Sequence, residues 1–185
     1  MIEIHSEQKR MISGLKGLAY CIVSLALAVT LFDVMLIGSL GFFFPLVVLS
    51  VAAILLLVAY SMRQRFSLLG NTPLYMPNAN LLLGEQVDAH IVIQQPNFTK
   101  FTTVEIKYFA HHTESETHLV WHKDVPIDTT FLASDTFLNF QFTLPQELNL
   151  VLGGKWVVTI RYVENMQEVK RDFRLNVRDP KVRML

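Results

Sequence analysis

The chain has 185 residues, a net charge of zero and a single cysteine, and 51% of its residues are hydrophobic. Zero net charge gives no electrostatic reason for nucleic-acid binding. The lone Cys21 excludes an intrachain disulfide framework, and the mean hydropathy of +0.35 points to a segment that water does not solvate.

Residues 1–16 read as a polar N-terminal segment carrying Lys9, Arg10 and Lys16. From Leu15 to Met62 the only charges are Lys16 and Asp33. A spanning helix needs about 20 predominantly apolar residues, and this run holds two such segments back to back. Transmembrane helices are expected over 17–37 and 43–62, separated by the Gly38-Ser-Leu-Gly41 break. Pro45 falls in the first turn of the second helix, where a missing N–H costs nothing.

Lys9, Arg10 and Lys16 precede the hairpin, Arg63 and Arg65 follow it, and the connecting turn carries no cation. The positive-inside rule therefore places both termini, and everything after the hairpin, in the cytoplasm. A bacterial inner membrane is the expected location. Tyr20 and Tyr60 would lie near the cytoplasmic headgroups, with Phe42, Phe43 and Phe44 near the opposite interface. Ala26-Leu27-Ala28 has the spacing of a signal-peptidase site, but the apolar run continues well past it, so an uncleaved hairpin is expected. Asp33 is close enough to the break to reach the interface, which escapes the cost of an acid in lipid. Ser24 and Ala28 form a small-xxx-small pair that would let a second helix approach.

Residues 63–79, with Pro73, Pro77, Asn71 and Asn78, read as an irregular linker. Beyond it the period becomes two. Val87 to Ile93, Val104 to Ala110, Leu119 to Val125, Leu138 to Leu144, Trp156 to Tyr162 and Val169 to Val177 each alternate with polar residues, and Asn80 to Leu83 adds a short seventh run. Strict alternation gives each strand one buried face. The expected domain, residues 80–180 followed by a 181–185 tail, is an all-β sandwich or small barrel of six to seven antiparallel strands. Glu164-Asn-Met-Gln167 would join the last two strands as a hairpin.

Phe140-Gln-Phe-Thr-Leu-Pro145, Gly153-Gly-Lys-Trp156 with the run to Tyr162, and Tyr75-Met-Pro-Asn-Ala-Asn-Leu-Leu-Leu-Gly84 resemble stretches of arrestin-like sandwiches. An immunoglobulin-like sandwich has similar punctuation. The resemblance covers about half the domain, and there is room for one lobe where arrestin-like proteins usually carry two. It implies an interaction module.

Four histidines lie close together: His111, His112, His118 and His122. A six-residue turn would set His111 opposite His118, and two histidines across a hairpin can ligate zinc or copper. His111, His118 and His122 are thus the candidate metal ligands, but no thiolate completes a set, and a solvated His-rich face is the simpler reading. No G-x-S-x-G elbow, P-loop or dinucleotide fingerprint is present. Cys21 lies among apolar residues, which opposes a thiolate. Asn97-Phe-Thr99 matches a glycosylation sequon that a cytoplasmic domain would never expose to the transferase. Lys170, Arg171, Arg174, Arg178, Lys181 and Arg183 crowd the end of the chain beside Asp172 and Asp179. A charge-guarded edge strand accounts for them better than an anionic-lipid contact.

The expected function is a non-enzymatic accessory or adaptor, with the bilayer and other membrane proteins as partners, no nucleic acid and no cofactor. The alternative is a two-span effector whose β domain senses a small ligand. Its layout is similar to that of bacterial antiviral effectors that pair two spans with a nucleotide-binding barrel. Such an effector needs an enclosed polar pocket lined by Arg or Lys and aromatic side chains.

Overall fold

A computed structural model describes residues 1–36, 43–111, 117–148, 154–164 and 166–178, without the side chains of 32–36, 43–45, 65, 111 and 167. The described chain divides into two compact units, Gln8–Leu68 and a second made of Met1–Glu7 with Leu69–Leu185.

The first unit is helical. α1 spans Glu7–Leu36 and α2 spans Phe43–Ser67. Both are long and apolar enough to cross a membrane. α1 begins well before the apolar run: Ser6 stands where a helix cap is favoured, and Glu7 places an acid in the first turn. Outward side chains are large and apolar, Leu25 at 65% exposure and Leu57 at 67%. The buried positions are Ile12, Ala19 and Ala26 on α1 and Ala52 and Ala59 on α2, each repeating at seven residues along one face. Small residues on such a stripe let helix backbones approach closely. Ser24 and Ala28, the pair read from the sequence, lie instead on the exposed side. The hydroxyls of Ser24, Thr30 and Ser50 donate to the carbonyls of Tyr20, Ala26 and Leu46, so these polar groups are satisfied within their own helices. The glycine break, the Asp33 side chain and the Phe42–Phe44 ring cluster fall outside the described residues.

The described residues of the second unit form ten strands in two five-stranded sheets, where six or seven were expected. Sheet one has the order β1(Ile2–Ile4), β2(Leu74–Met76), β4(Gln86–Ile93), β8(Thr136–Thr143), β7(Asp128–Phe131). Sheet two has the order β3(Asn80–Leu82), β10(Gln167–Arg178), β9(Lys155–Glu164), β5(Thr103–His111), β6(Thr117–Pro126). The additional strands β1, β2 and β7 are three or four residues long. Runs that short carry no readable period, and their pairing is long-range: β1 meets β2 across the entire helical unit. Two of them occupy stretches read as N-terminal segment and linker. One pair, β3 with β10, is parallel rather than antiparallel.

Alternation otherwise works as the sequence implies. Val87, Ala89, Ile91 and Ile93 of β4 and Leu138, Phe140 and Phe142 of β8 face Val104, Ile106 and Tyr108 of β5, Trp156, Val158 and Ile160 of β9, and Phe173 and Leu175 of β10 across a single core. Two glycines matter to it. Gly84 takes φ +81° in the turn between β3 and β4, where an L residue is strained. A Cβ on Gly154 would overlap the phenol of buried Tyr108. The last two strands form the expected tight hairpin, with Gln167 paired to Glu164 and Met166 at φ +60°.

β6 departs from its expected pattern. Tyr108 pairs with Trp121, but Phe109 pairs with Leu119, so Val120 is an extra residue in a β-bulge. Tyr108 and Phe109 point to opposite faces, so Leu119 is removed from the face shared by Trp121 and Val125.

Candidate functional site

The same bulge settles the histidine register. His111 pairs with Thr117 and Ala110 with His118, so His111 is not opposite His118 as the six-residue turn would have it. His122 lies opposite Lys107, a cation that disfavours a metal ion beside it. Among the described residues no group of three or more His, Cys, Asp or Glu is placed to hold a metal. His112 and the His111 side chain lie outside those residues.

The basic C-terminal strand is not a plain edge either. β3 pairs with its last three residues, Asn176–Arg178, and Arg171 turns inward to 3% exposure. Burial pushes the Arg171 guanidinium down to about 10, against the opposing influence of the Tyr162 phenol. Its Nη1 donates to the Lys170 carbonyl at 2.9 Å. Nearby, Phe98, Phe101 and Tyr162 pack at centroid distances of 5.1–5.4 Å, with the Lys100 ammonium 5.2 Å from the Tyr162 centroid and ion-paired to Glu164. That hydrogen bond from Lys100 holds the Glu164 carboxyl below its ordinary range. Burial, then the Glu164 charge, pushes the Tyr162 hydroxyl up. Lys100 and Glu164 match each other's charge over the packed rings, which makes this cluster a cap on the core. Lys181 and Arg183 lie outside the described residues.

The outer face of sheet two is laced in the same way. Glu105 is gripped by Lys107 and, at 2.5 Å, by Arg161, and Asp172 accepts from Lys170 at 3.2 Å and from the Thr159 hydroxyl at 2.7 Å.

The outer face of sheet one differs. Register aligns one residue from every strand in a transverse row: Glu3, Tyr75, His90, Asn139 and Asp128. Alternation turns this row away from the core, because its flanks Ile91, Ala89, Leu138 and Phe140 are buried. Tyr75 stacks on His90 at 5.1 Å and 21°, and Phe137 approaches from the other side at 6.0 Å. In the adjoining row the Gln141 amide donates to the Asp88 carboxylate at 2.5 Å, and Asn139 donates to the Thr130 hydroxyl at 3.0 Å.

Beside these rows lies a groove of about 680 Å³. Its polar wall is Asp88, His90, Asp128, Asn139 and Gln141. Its apolar wall includes Val125, Pro126, Ile127 and Phe140, with Met1 also lining it. Val125 to Ile127 is where the chain crosses from sheet two to sheet one, held there by the Ile127 amide donating to the Thr102 carbonyl at 3.3 Å. The volume is within the roughly 300–1,000 Å³ typical of ligand clefts. None of these polar residues stood out in the sequence. The available signal was the polar half of the β4 and β8 alternation, which cannot say which strands become neighbours.

Desolvation by the flanking rings lowers the His90 pKa from its ordinary 6.5. The neutral imidazole is therefore the form the fold prefers, and its contribution is fully present above pH 6.5 and lost as pH falls through the lowered value. The expected result is that the thermal midpoint falls less between about pH 7.5 and pH 5 in His90→Gln than in wild type, since the substitution deletes this linkage. Identical declines in the two proteins would show that His90 does not couple protonation to folding.

No protein-family model and no curated protein matches this chain. Among solved structures, the sporulation control protein Spo0M of Bacillus subtilis is similar at 14% identity and a TM-score of 0.39, over 57% of this chain and 48% of that one. The chain thus spans about half the length of Spo0M. Murine CRIg, an immunoglobulin-like domain, is similar at 14% identity and a TM-score of 0.28, over 59% of this chain and 99% of that one. The likeness to immunoglobulin-like sandwiches is weak, and scores this low carry no function across.

Proposed function

We propose that this chain is a membrane-anchored, non-enzymatic interaction module, an adaptor that holds its β domain beside a membrane protein complex. One observation carries the reading. The apolar hairpin is inserted between β1 and β2, neighbouring antiparallel strands of one sheet. Both ends of the hairpin therefore feed the same sheet, through His5–Ser6 on one side and Leu68–Pro73 on the other. Leu69 and Thr72 in the second link are 1% and 3% exposed, so most of that link is part of the fold. The β domain is thus joined to its anchor at two points of the chain rather than one. The cations Lys9, Arg10, Lys16, Arg63 and Arg65 favour the cytoplasmic face, as in a bacterial inner membrane. The effector alternative calls for an enclosed polar pocket, whereas Met76, Ile91, Ile106, Phe142, Val158 and Phe173 fill the space between the sheets.

Purification of the full chain from its own membranes in a gentle detergent tests the proposal. The expected result is co-purification with other integral membrane proteins in stable proportion. Recovery of the chain alone, across several detergents and after cross-linking in the intact membrane, overturns it.

A further inference from the structure

The strands of the β domain divide their charges unevenly. β1, β2, β4, β8 and β7 contain no Lys or Arg, yet they carry Glu3, Asp88 and Asp128. All the Lys and Arg residues located in strands belong to sheet two. The groove described above opens on the sheet whose strands hold no Lys or Arg, and its charged side chains are the carboxylates Asp88 and Asp128.

We propose that this groove takes a Lys or Arg side chain presented by an extended segment of a partner protein. The inference names the docking surface of the module proposed above and rests on that reading for the partner being a protein.

Three features specify this occupant. First, the sign of the field: two carboxylates stand in the wall against a single α-ammonium, that of Met1, and no Lys or Arg side chain is among the lining residues. His90 does not supply the missing charge, because its imidazole is held neutral by the rings around it. Second, the shape of the chemistry. Pro126 and the partly exposed Ile127 offer apolar surface to an alkyl stem, while Asp88 and Asp128 stand ready for its charged head. The Asn139 and Gln141 amides add acceptors for a multi-donor guanidinium. Third, the setting favours an extended chain. β7, which contributes Asp128, is the outermost strand of sheet one among the described residues, so a segment laid along it can pair with the backbone edge that faces away from β8 while one side chain enters the groove. Phe131 at 46% exposure and Leu132 at 59% continue that edge with apolar surface. An anionic lipid surface has the wrong sign for this face.

The probe is a blocked, alternating Val/Thr octapeptide with a central arginine, compared with the same peptide carrying neutral citrulline. Binding is measured by calorimetry to the full chain in detergent micelles. The arginine peptide is expected to bind about tenfold more tightly than the citrulline peptide. Asp88→Asn combined with Asp128→Asn is expected to bring the ratio to about one. If the double variant does not fold, Asp128→Asn alone, at an exposed position, is expected to reduce the ratio severalfold. Equal affinity for the two peptides, or an unchanged ratio in whichever variant folds, overturns the proposal. A chain that co-purifies with membrane partners yet ignores the arginine leaves the adaptor reading standing and removes this surface. Arginine-selective binding by a chain that has no membrane partners does the reverse.

Discussion

Phe173→Ala should lower the unfolding free energy by about 3–5 kcal/mol, the cost of removing a fully buried aromatic ring and leaving a cavity. Phe173 is 0% exposed and pairs with Val158, on the face of β10 that looks into the core. Two features push the loss toward the upper end. β10 is locked to β9 by a continuous register from Gln167 to Leu175, so the backbone cannot close over the missing ring. The opposing sheet is equally fixed, with β4 and β8 paired from Gln86 to Ile93. The only two tryptophans, Trp121 and Trp156, lie 5.5 Å apart between centroids in sheet two, so denaturant unfolding can be followed by their fluorescence. Leu82→Ala, at a position 46% exposed, serves as the control and should cost about 0.5 kcal/mol or less. Equal losses in the two variants would mean that the two sheets do not share the core described here.

How much of this was legible in the sequence follows from how local each signal is. The apolar faces of β4, β8 and β9 were readable because nearly every second residue is Ala, Val, Ile, Leu, Phe, Tyr or Trp and burial is decided strand by strand. The two helices were readable from an apolar run whose only charge between residues 17 and 62 is Asp33. Strand β1 was not: Ile2-Glu-Ile4 is three residues, and its partner is more than sixty positions away, beyond both helices. β2 sits between Pro73 and Pro77, residues that signal a turn before they signal a strand. The bulge at Val120 is invisible to a period-two reading, and one inserted residue moved Leu119 to the other face and undid the His111–His118 pairing. Arg171 continued the alternation of Val169 and Phe173, so its inward position was legible, though an edge-strand account of the basic residues hid it. The groove depends on neighbours drawn from four separate strands and a crossover, and no window of sequence contains them.

The second large effect concerns the solvent of the helical unit. Leu25, Leu31, Leu46, Ile54 and Leu57 are 60% exposed or more, on helices whose small residues are the ones covered. Burying a leucine side chain fully is worth about 1.5–3 kcal/mol. Soluble monomers seldom expose contiguous apolar patches beyond a few hundred Å², and the described side chains of these helices expose Leu18, Leu25, Leu27 and Leu31 on α1 and Leu46, Leu49, Ile54 and Leu57 on α2. Residues 17–62 carry a single charge, Asp33, so nothing on that surface prefers water strongly enough to offset the transfer. Their backbone polar groups are paired within the helices, the condition lipid imposes. Partition into the bilayer is therefore expected to be effectively complete.

Alkaline carbonate washing of membranes from cells that make the full chain tests this directly. Peripheral proteins are stripped by the wash, whereas a hairpin solvated by lipid stays in the pellet and is released only by detergent. Retention in the pellet is the expected result, and recovery of the chain in the carbonate supernatant as a water-soluble protein would contradict it.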